Sequence, residues 1–252
     1  SRPLSLLLAV AVGLAALAGC TDDPEPSATT TPPAHGETPC RPDRLPDALE
    51  PEAVADADVD GTTVTLVTHD SFATSDGIFD RFTELTGVTV KVLQVGDAGT
   101  LVSQSILTAG KPVGDVLFGI DTTFLCRGTR AGLFTPYAPD ALADVDDALE
   151  QDPDHLVTPI DVGDVCLNYS RAAYPDADDA PNGLDDLADE RFADQFVTQN
   201  PESSSPGLAF LLATIAEYGP DGWQDYWERL RANGVEITSG WVRAMLPGQP
   251  AG

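Results

Sequence analysis

From residue 62 the chain alternates between two textures. "TTVTLVT" (62–68) alternates β-branched and apolar residues and predicts a strand ending near Thr68. In "DGIFDRFTELTG", Ile78, Phe79, Phe82 and Leu85 recur at helical spacing, with Ser75 or Asp76 placed to cap the helix and Gly87 to stop it. "VTVKVLQV" predicts a second strand, and "DAGTLVSQSILTAG" a second helix, capped near Asp97 and stopped by Gly110. "GDVLFGI" is short and almost continuously apolar, the pattern of a strand buried on both faces of a parallel sheet. "DTTFLCRGTRAG" predicts a third helix, from Asp121 or Thr122 to Gly132. Successive strand-then-helix units between Thr62 and Gly132 imply right-handed crossovers and a parallel sheet with helices on both faces. Ligands gather beyond the carboxyl ends of strands in such sheets, and His69-Asp70-Ser71 and Gly119-Ile120-Asp121 both fall there.

A Pro- and Asp-rich connection, "TPYAPDALADVDDALEQDPD", holds one short helical stretch, after which "HLVTPIDVGDVCLNYS" predicts extended structure with Val165, Leu167 and Tyr169 on one face. "PNGLDDLADERFADQFVTQNP" predicts a short helix and a strand near Phe196 to Gln199. "SSSPGLAFLLATIAEYG" carries a helix start, with Ser205 as N-cap, Pro206 at the first position, and Leu208, Leu211, Leu212 and Ile215 on one side. The next segment places Trp223, Tyr226, Trp227 and Leu230 at i, i+3, i+4 and i+7, a core stripe rather than a ligand surface. "VEITSGW" closes the series as another strand leading into Gly240-Trp241. Two α/β segments separated by a long connection predict two lobes.

The first 61 residues differ in kind. "SRPLSLLLAVAVGLAALAGC" has Arg2, an apolar run from Leu4 to Leu17 and a small-residue ending, which is a secretory leader pattern over residues 1–20. Leu17-Ala18-Gly19-Cys20 resembles a bacterial lipobox, which implies lipidation of Cys20 and attachment to the outer face of the cell membrane, with a plain leader as the alternative. Residues 21–61, rich in Pro, Thr, Ala and Asp, cannot bury enough apolar surface to offset ordering entropy and are read as a tether.

The net charge of −28, from 41 acidic against 13 basic residues, argues against nucleic acid as a partner. With Cys20 lipidated, Cys40, Cys126 and Cys166 remain, an odd number, and Cys126 with Cys166 is one candidate bridge. No C-x-x-C or C-x-x-H spacing occurs, so no metal site or cofactor is expected. "HDS" suggests a hydrolase, yet adjacent residues on a strand point to opposite faces and cannot form a triad among themselves. G-x-S-x-G, H-E-x-x-H and G-x-G-x-x-G are absent, and an enzyme is not expected.

In this order, "VTLVTHDSFA", "GDVLFGIDTTFL", "TPIDVGDVCLNY", "NPESSSPGLAFLLATI" and "ITSGW" resemble the thiamine-binding substrate-binding proteins of ABC importers. The wider family of periplasmic-type binding proteins also has iron(III)- and polyamine-binding members. The resemblance implies an α/β fold of two-lobed, periplasmic-binding-protein type II architecture, with lobes at 62–165 and 166–252. Family members continue well past the counterpart of Trp241, so the second lobe is expected to be incomplete in this chain, with thiamine binding weak or absent unless a longer parent supplies the rest. The implied partners are thiamine or its phosphate esters and the permease and ATPase subunits of an importer, with the chain acting as a monomer.

Thiamine carries a permanent cationic thiazolium, so its site should offer carboxylates and aromatic faces. Asp70 and Asp121 are the candidate carboxylates, with helix capping as the rival role, most directly for Asp121 ahead of Thr122-Thr123. Ser71 matches a cleft-lining position of the family, and His69 stands where the family often has Tyr, either stacking on a ring or lying idle at the rim. Ser203, Ser204, Ser205 and Gly207, at a helix N-terminus, suit a phosphate, although ordinary capping needs only Ser205. Trp241 matches a cleft aromatic and reads as a stacking wall or as plain core. Asp161 and Asp164 are read as structural or interlobe groups.

Overall fold

In the computed structural model, which describes residues 58–245, strand β1 (Thr63–Thr68) lies between β2 (Thr89–Gln94) and β3 (Val116–Phe118), all parallel. Thr68 pairs with Gln94 on one side and Phe118 on the other, so the three strands end level. The chain steps from β1 to one neighbour, then crosses back to the other. The carboxyl ends of β1 and β3 therefore flank the point where winding reverses, the place at which open α/β sheets form a crevice.

Helix α1 (Ile78–Thr86) stops as predicted at Gly87, whose φ of 74° frees its N–H to reach the Thr83 carbonyl at 2.8 Å. It starts after Gly77 without a side-chain cap from Ser75 or Asp76. Its apolar face, with Ile78, Phe82 and Leu85, stays exposed. Helix α2 (Ala98–Leu107) is capped by Asp97, whose carboxylate accepts the Ala98 N–H. Helix α3 (Leu125–Arg130) is shorter than its pattern suggested because Asp121 to Phe124 form the turn leading into it. Ala98, Val102 and Phe124 are buried together, and Ile106, Ile120 and Leu208 pack around them. Each fully buried side chain of this size contributes roughly 1.5–3 kcal/mol.

The Asp-rich connection forms two 3₁₀ turns, Asp140–Asp144 and Asp147–Leu149. The extended structure expected for 155–170 does not form a strand. Val165, Leu167 and Tyr169 are exposed instead, as alternation alone holds no strand without a ladder partner. Cys166 in this stretch is free and exposed, whereas Cys126 is disulfide-bonded, so the candidate bridge between them is not made. The Cys20 lipobox and the tether up to residue 57 lie outside the described residues.

A second parallel sheet pairs β4 (Val197–Gln199) with β5 (Glu236–Thr238). The single turn α4 (Leu184–Leu187) precedes β4, and α5 (Ser205–Ala232) joins β4 to β5. Helix α5 breaks at Gly219 (φ 72°, ψ 177°) before Pro220, into the two helices that the pattern predicted. Trp227 Nε1–H donates to Thr214 Oγ1 at 3.0 Å and ties the two halves together. Of the predicted core stripe, Tyr226 and Leu230 are buried with Leu187, against Phe196, Phe210 and Trp227, while Trp223 stays half-buried outside this cluster. Tyr226 O–H donates to the Leu184 carbonyl at 2.7 Å, and burial pushes its phenol up. The described chain ends in α6 (Trp241–Met245).

Candidate functional site

The turn after β1 is fastened to the turn after β2. Val95 N–H donates to the Thr68 carbonyl at 2.8 Å and Asp70 N–H to the Gly96 carbonyl at 2.7 Å. His69 and Ser71, two residues apart, share a face: Nδ1 lies 2.9 Å from Ser71 Oγ. The imidazole sits 6.1 Å from the Phe118 ring and edge-on to Phe72 at 6.3 Å, while Phe72 and Phe118 meet at 5.2 Å. Gly119 closes the fourth side. It has a φ of +108°, and a Cβ built there would fall 2.3 Å from His69 Cδ2. The ring is thus boxed in by neighbours from β1, β3 and their following turns, and no hydrogen bond from Asp70 completes a triad.

Asp70 senses its surroundings mainly through charge. Its carboxyl is pushed up from the ordinary range, first by burial and next by the negative charge of Asp97, and is pulled back by His69 and by the N–H groups of Ser71 and Asp70 itself. Solvent still reaches Asp70, so the crowding is that of a half-open rim rather than a sealed core. No lysine or arginine is among the groups acting on it.

Asp97 is where distant segments meet. One carboxylate oxygen accepts the Ala98 N–H at 2.7 Å and the other accepts the Trp241 N–H at 3.0 Å. The residue is 8% exposed. Gly240 makes room for it, because a Cβ there would come within 2.6 Å of Asp97 Oδ2. Two residues later, Gly99 N–H donates to the Ser203 carbonyl at 2.8 Å, and a Cβ on Gly99 would meet the Glu202 carbonyl at 2.5 Å. Ser203 Oγ–H in turn donates to the Ser239 carbonyl at 2.6 Å. The starts of α2, α5 and α6 are stitched into one junction, and the Asp70 turn lies within reach of its charge.

The predicted site residues divide accordingly. His69, Asp70 and Ser71 share the β1 rim, and Ser203 and Trp241 join it through Asp97 and Gly99. Trp241 is 37% exposed and opens α6. Ser204 is fully buried, donates its hydroxyl to Gln199 Oε1, and occupies the N-cap position expected for Ser205. Gly207 packs against the end of β4, where a Cβ would lie 2.4 Å from the Gln199 carbonyl. Asp121 caps its turn: Oδ1 accepts from Thr123 Oγ1 at 2.7 Å and from Phe124 N–H at 3.3 Å. A groove of about 1410 Å³ runs along β3 and the 155–165 stretch; it takes in Asp121 but neither Asp70 nor Trp241. Asp121 is therefore a turn-former facing a different opening.

Sequence reasoning gave Asp97 only a capping role. The "GD" before α2 carries that much, but its second oxygen bonds to a residue 144 positions away, which no local pattern reports. Among the described residues, no three His, Cys, Asp or Glu side chains are grouped to hold a metal ion, and no helix is long and apolar enough to cross a membrane.

A family profile described as bacterial extracellular solute-binding protein matches residues 111–251. The chain belongs to that family. Among its relatives, a thiamine-binding periplasmic protein of Brucella suis biovar 1 (strain 1330) is 25% identical over 190 residues, which cover 72% of this chain and 54% of the relative. The chain thus spans about half the length of the curated relatives it matches. A solved periplasmic thiamin binding protein superposes with a TM-score of 0.55 at 20% identity, covering 80% of this chain and 60% of that one. Iron-bound HitA from Pseudomonas aeruginosa gives a TM-score of 0.57 at 26% identity, covering 73% and 58%. The fold is therefore α/β of the periplasmic-binding-protein type II kind, present here with an incomplete sheet.

Proposed function

We propose that this chain belongs to the solute-binding component of an ABC importer, and that it takes up thiamine or a thiamine phosphate ester and passes it to a membrane permease. The observation that carries the reading is the Asp70 and Asp97 pair. Two carboxylates lie within electrostatic reach of each other beyond the carboxyl ends of β1 and β2, with no basic side chain acting on Asp70 except His69. Such a site is relieved by a cation, and a thiazolium that cannot lose its charge suits it better than a protonatable amine. Trp241, whose N–H is held by Asp97, and the Phe72, Phe118 and His69 rings supply aromatic surface beside those charges. The thiamine-binding names of the sequence relatives support the same reading.

In this reading the chain is a carrier rather than an enzyme and acts as a monomer, with its two lobes dividing near residue 165. Lipidation at Cys20 would hold it at the outer face of the membrane. The likeness to iron-bound HitA favours iron(III) as the second reading. Calorimetric titration of the intact protein with thiamine and, separately, with ferric citrate tests both. Saturable heat with thiamine alone supports the proposal, and saturation with iron alone overturns it.

A further inference from the structure

The site carries a titratable cation of its own. His69 immediately precedes Asp70 beyond the end of β1, and it is the one basic side chain among the groups that act on that carboxyl. Solvent reaches both residues. The imidazole is hemmed in: Phe72 stands edge-on at 6.3 Å, Phe118 lies at 6.1 Å, and a Cβ on Gly119 would sit 2.3 Å from His69 Cδ2. Gln94 Nε2–H holds the turn itself by donating to the Asp70 and Phe72 carbonyls at 3.3 and 3.0 Å. The Ser71 hydroxyl, 2.9 Å from His69 Nδ1, is able both to donate and to accept. It gives its hydrogen to a neutral imidazole and receives one from a protonated imidazole, so the ring keeps its place in both charge states. Around this turn the charged groups are carboxylates: Asp70 itself, Asp97 at the start of α2, and Asp121 after β3, whose Oδ1 is taken by Thr123 and Phe124.

We infer that His69 is a proton-operated competitor of the ligand: neutral, it leaves the Asp70 charge and the aromatic surface of Phe72 and Phe118 to a bound organic cation, and protonated, it takes them for itself and drives that cation out. This rests on the cation reading of the site above. Histidine is the side chain whose charge ordinarily changes between about pH 5 and 8. A protonated imidazole next to Asp70 offsets that carboxylate, draws on the same aromatic neighbours by cation–π attraction, and repels a thiazolium that cannot shed its charge. By linkage the converse holds, so a bound cation makes His69 harder to protonate.

The test is calorimetric titration of the intact protein with thiamine at about pH 8 and about pH 5.5, at one ionic strength, on the wild type and on His69→Gln, each compared with itself. Wild-type affinity is expected to fall at least about fivefold at the lower pH. His69→Gln, whose amide is neutral at both values, is expected to lose much less. Equal wild-type affinities, tighter binding in acid, or the same fall in His69→Gln overturn the inference and leave the cation reading intact. Absence of binding at either pH overturns both. Proton NMR of the wild-type histidine rings decides without relying on the folding of His69→Gln, with the His69 signal identified by replacing His35 and His155 in turn. Saturating thiamine is expected to move the His69 titration at least about one pH unit lower, and an unmoved titration overturns the inference.

Discussion

Asp97 Oδ2 accepts the backbone N–H of Trp241 at 3.0 Å, while Oδ1 of the same carboxylate caps α2 through Ala98. One side chain therefore secures two helix starts, the farther of them 144 residues from it in sequence. Removing it strands two N–H donors in a nearly buried setting. Asp97→Ala is expected to destabilise the protein by about 2 kcal/mol, read from urea unfolding. Asp97→Asn, which keeps an acceptor for one of the two donors, is expected to lose less.

Asp70 ties stability and binding to pH in opposite senses. Its carboxyl is raised first by burial and then by Asp97, so the folded state disfavours the charged form. Asp70 therefore subtracts stability above its folded-state pKa and stops doing so as pH falls through that value. Cation binding needs the charged form. Thiamine affinity should accordingly decline on acidification, starting at a higher pH than an ordinary aspartate would give. Asp70→Asn is expected to weaken thiamine binding at neutral pH, flatten its pH dependence, and leave the melting temperature no lower. Parallel titrations of both proteins check this, since the His69 and Asp97 contributions are common to the two.

Gly119 is the wall against which His69 rests. Alanine there would need a φ of +108° and would push its Cβ to within 2.3 Å of His69 Cδ2. Backbone strain of about 1–3 kcal/mol should appear as a lower melting temperature. The ring should also turn away from Phe118 and Ser71, with a drop in ligand affinity beyond that of a remote variant of equal stability.

The thiols differ in reactivity. Cys166 is free and exposed, and Cys126 is disulfide-bonded. Alkylation of the folded, unreduced protein followed by peptide mapping should find Cys166 modified and Cys126 unmodified until reductant is added. Labelling of Cys126 without reductant would contradict the bonding described here.

Much of the fold was legible because its signals are local. The alternation in "TTVTLVT", the stop at Gly87, the cap at Asp97 and the break at Gly219-Pro220 each act over a few residues and hold in the structure. Helical spacing of Tyr226, Trp227 and Leu230 also predicted which face would be buried. The 155–170 stretch fails the same logic. Its apolar alternation resembles a strand, yet a strand is a relation between two segments, and none pairs with it among the described residues.

What the sequence settled by itself was the β-then-α succession, the stop at Gly87, the cap at Asp97 and the face that buries Tyr226 and Leu230, all set by periodicity and by backbone preferences of single residues. Only the tertiary structure decided that Asp121 turns its carboxylate to its own helix start, that Ser203 and Ser204 direct their hydroxyls to other groups, and that Asp97 accepts the Trp241 N–H. Those outcomes depend on which donors lie within about 3 Å of each acceptor, a distance set by how separate segments pack. The order of residues along a strand does not contain it.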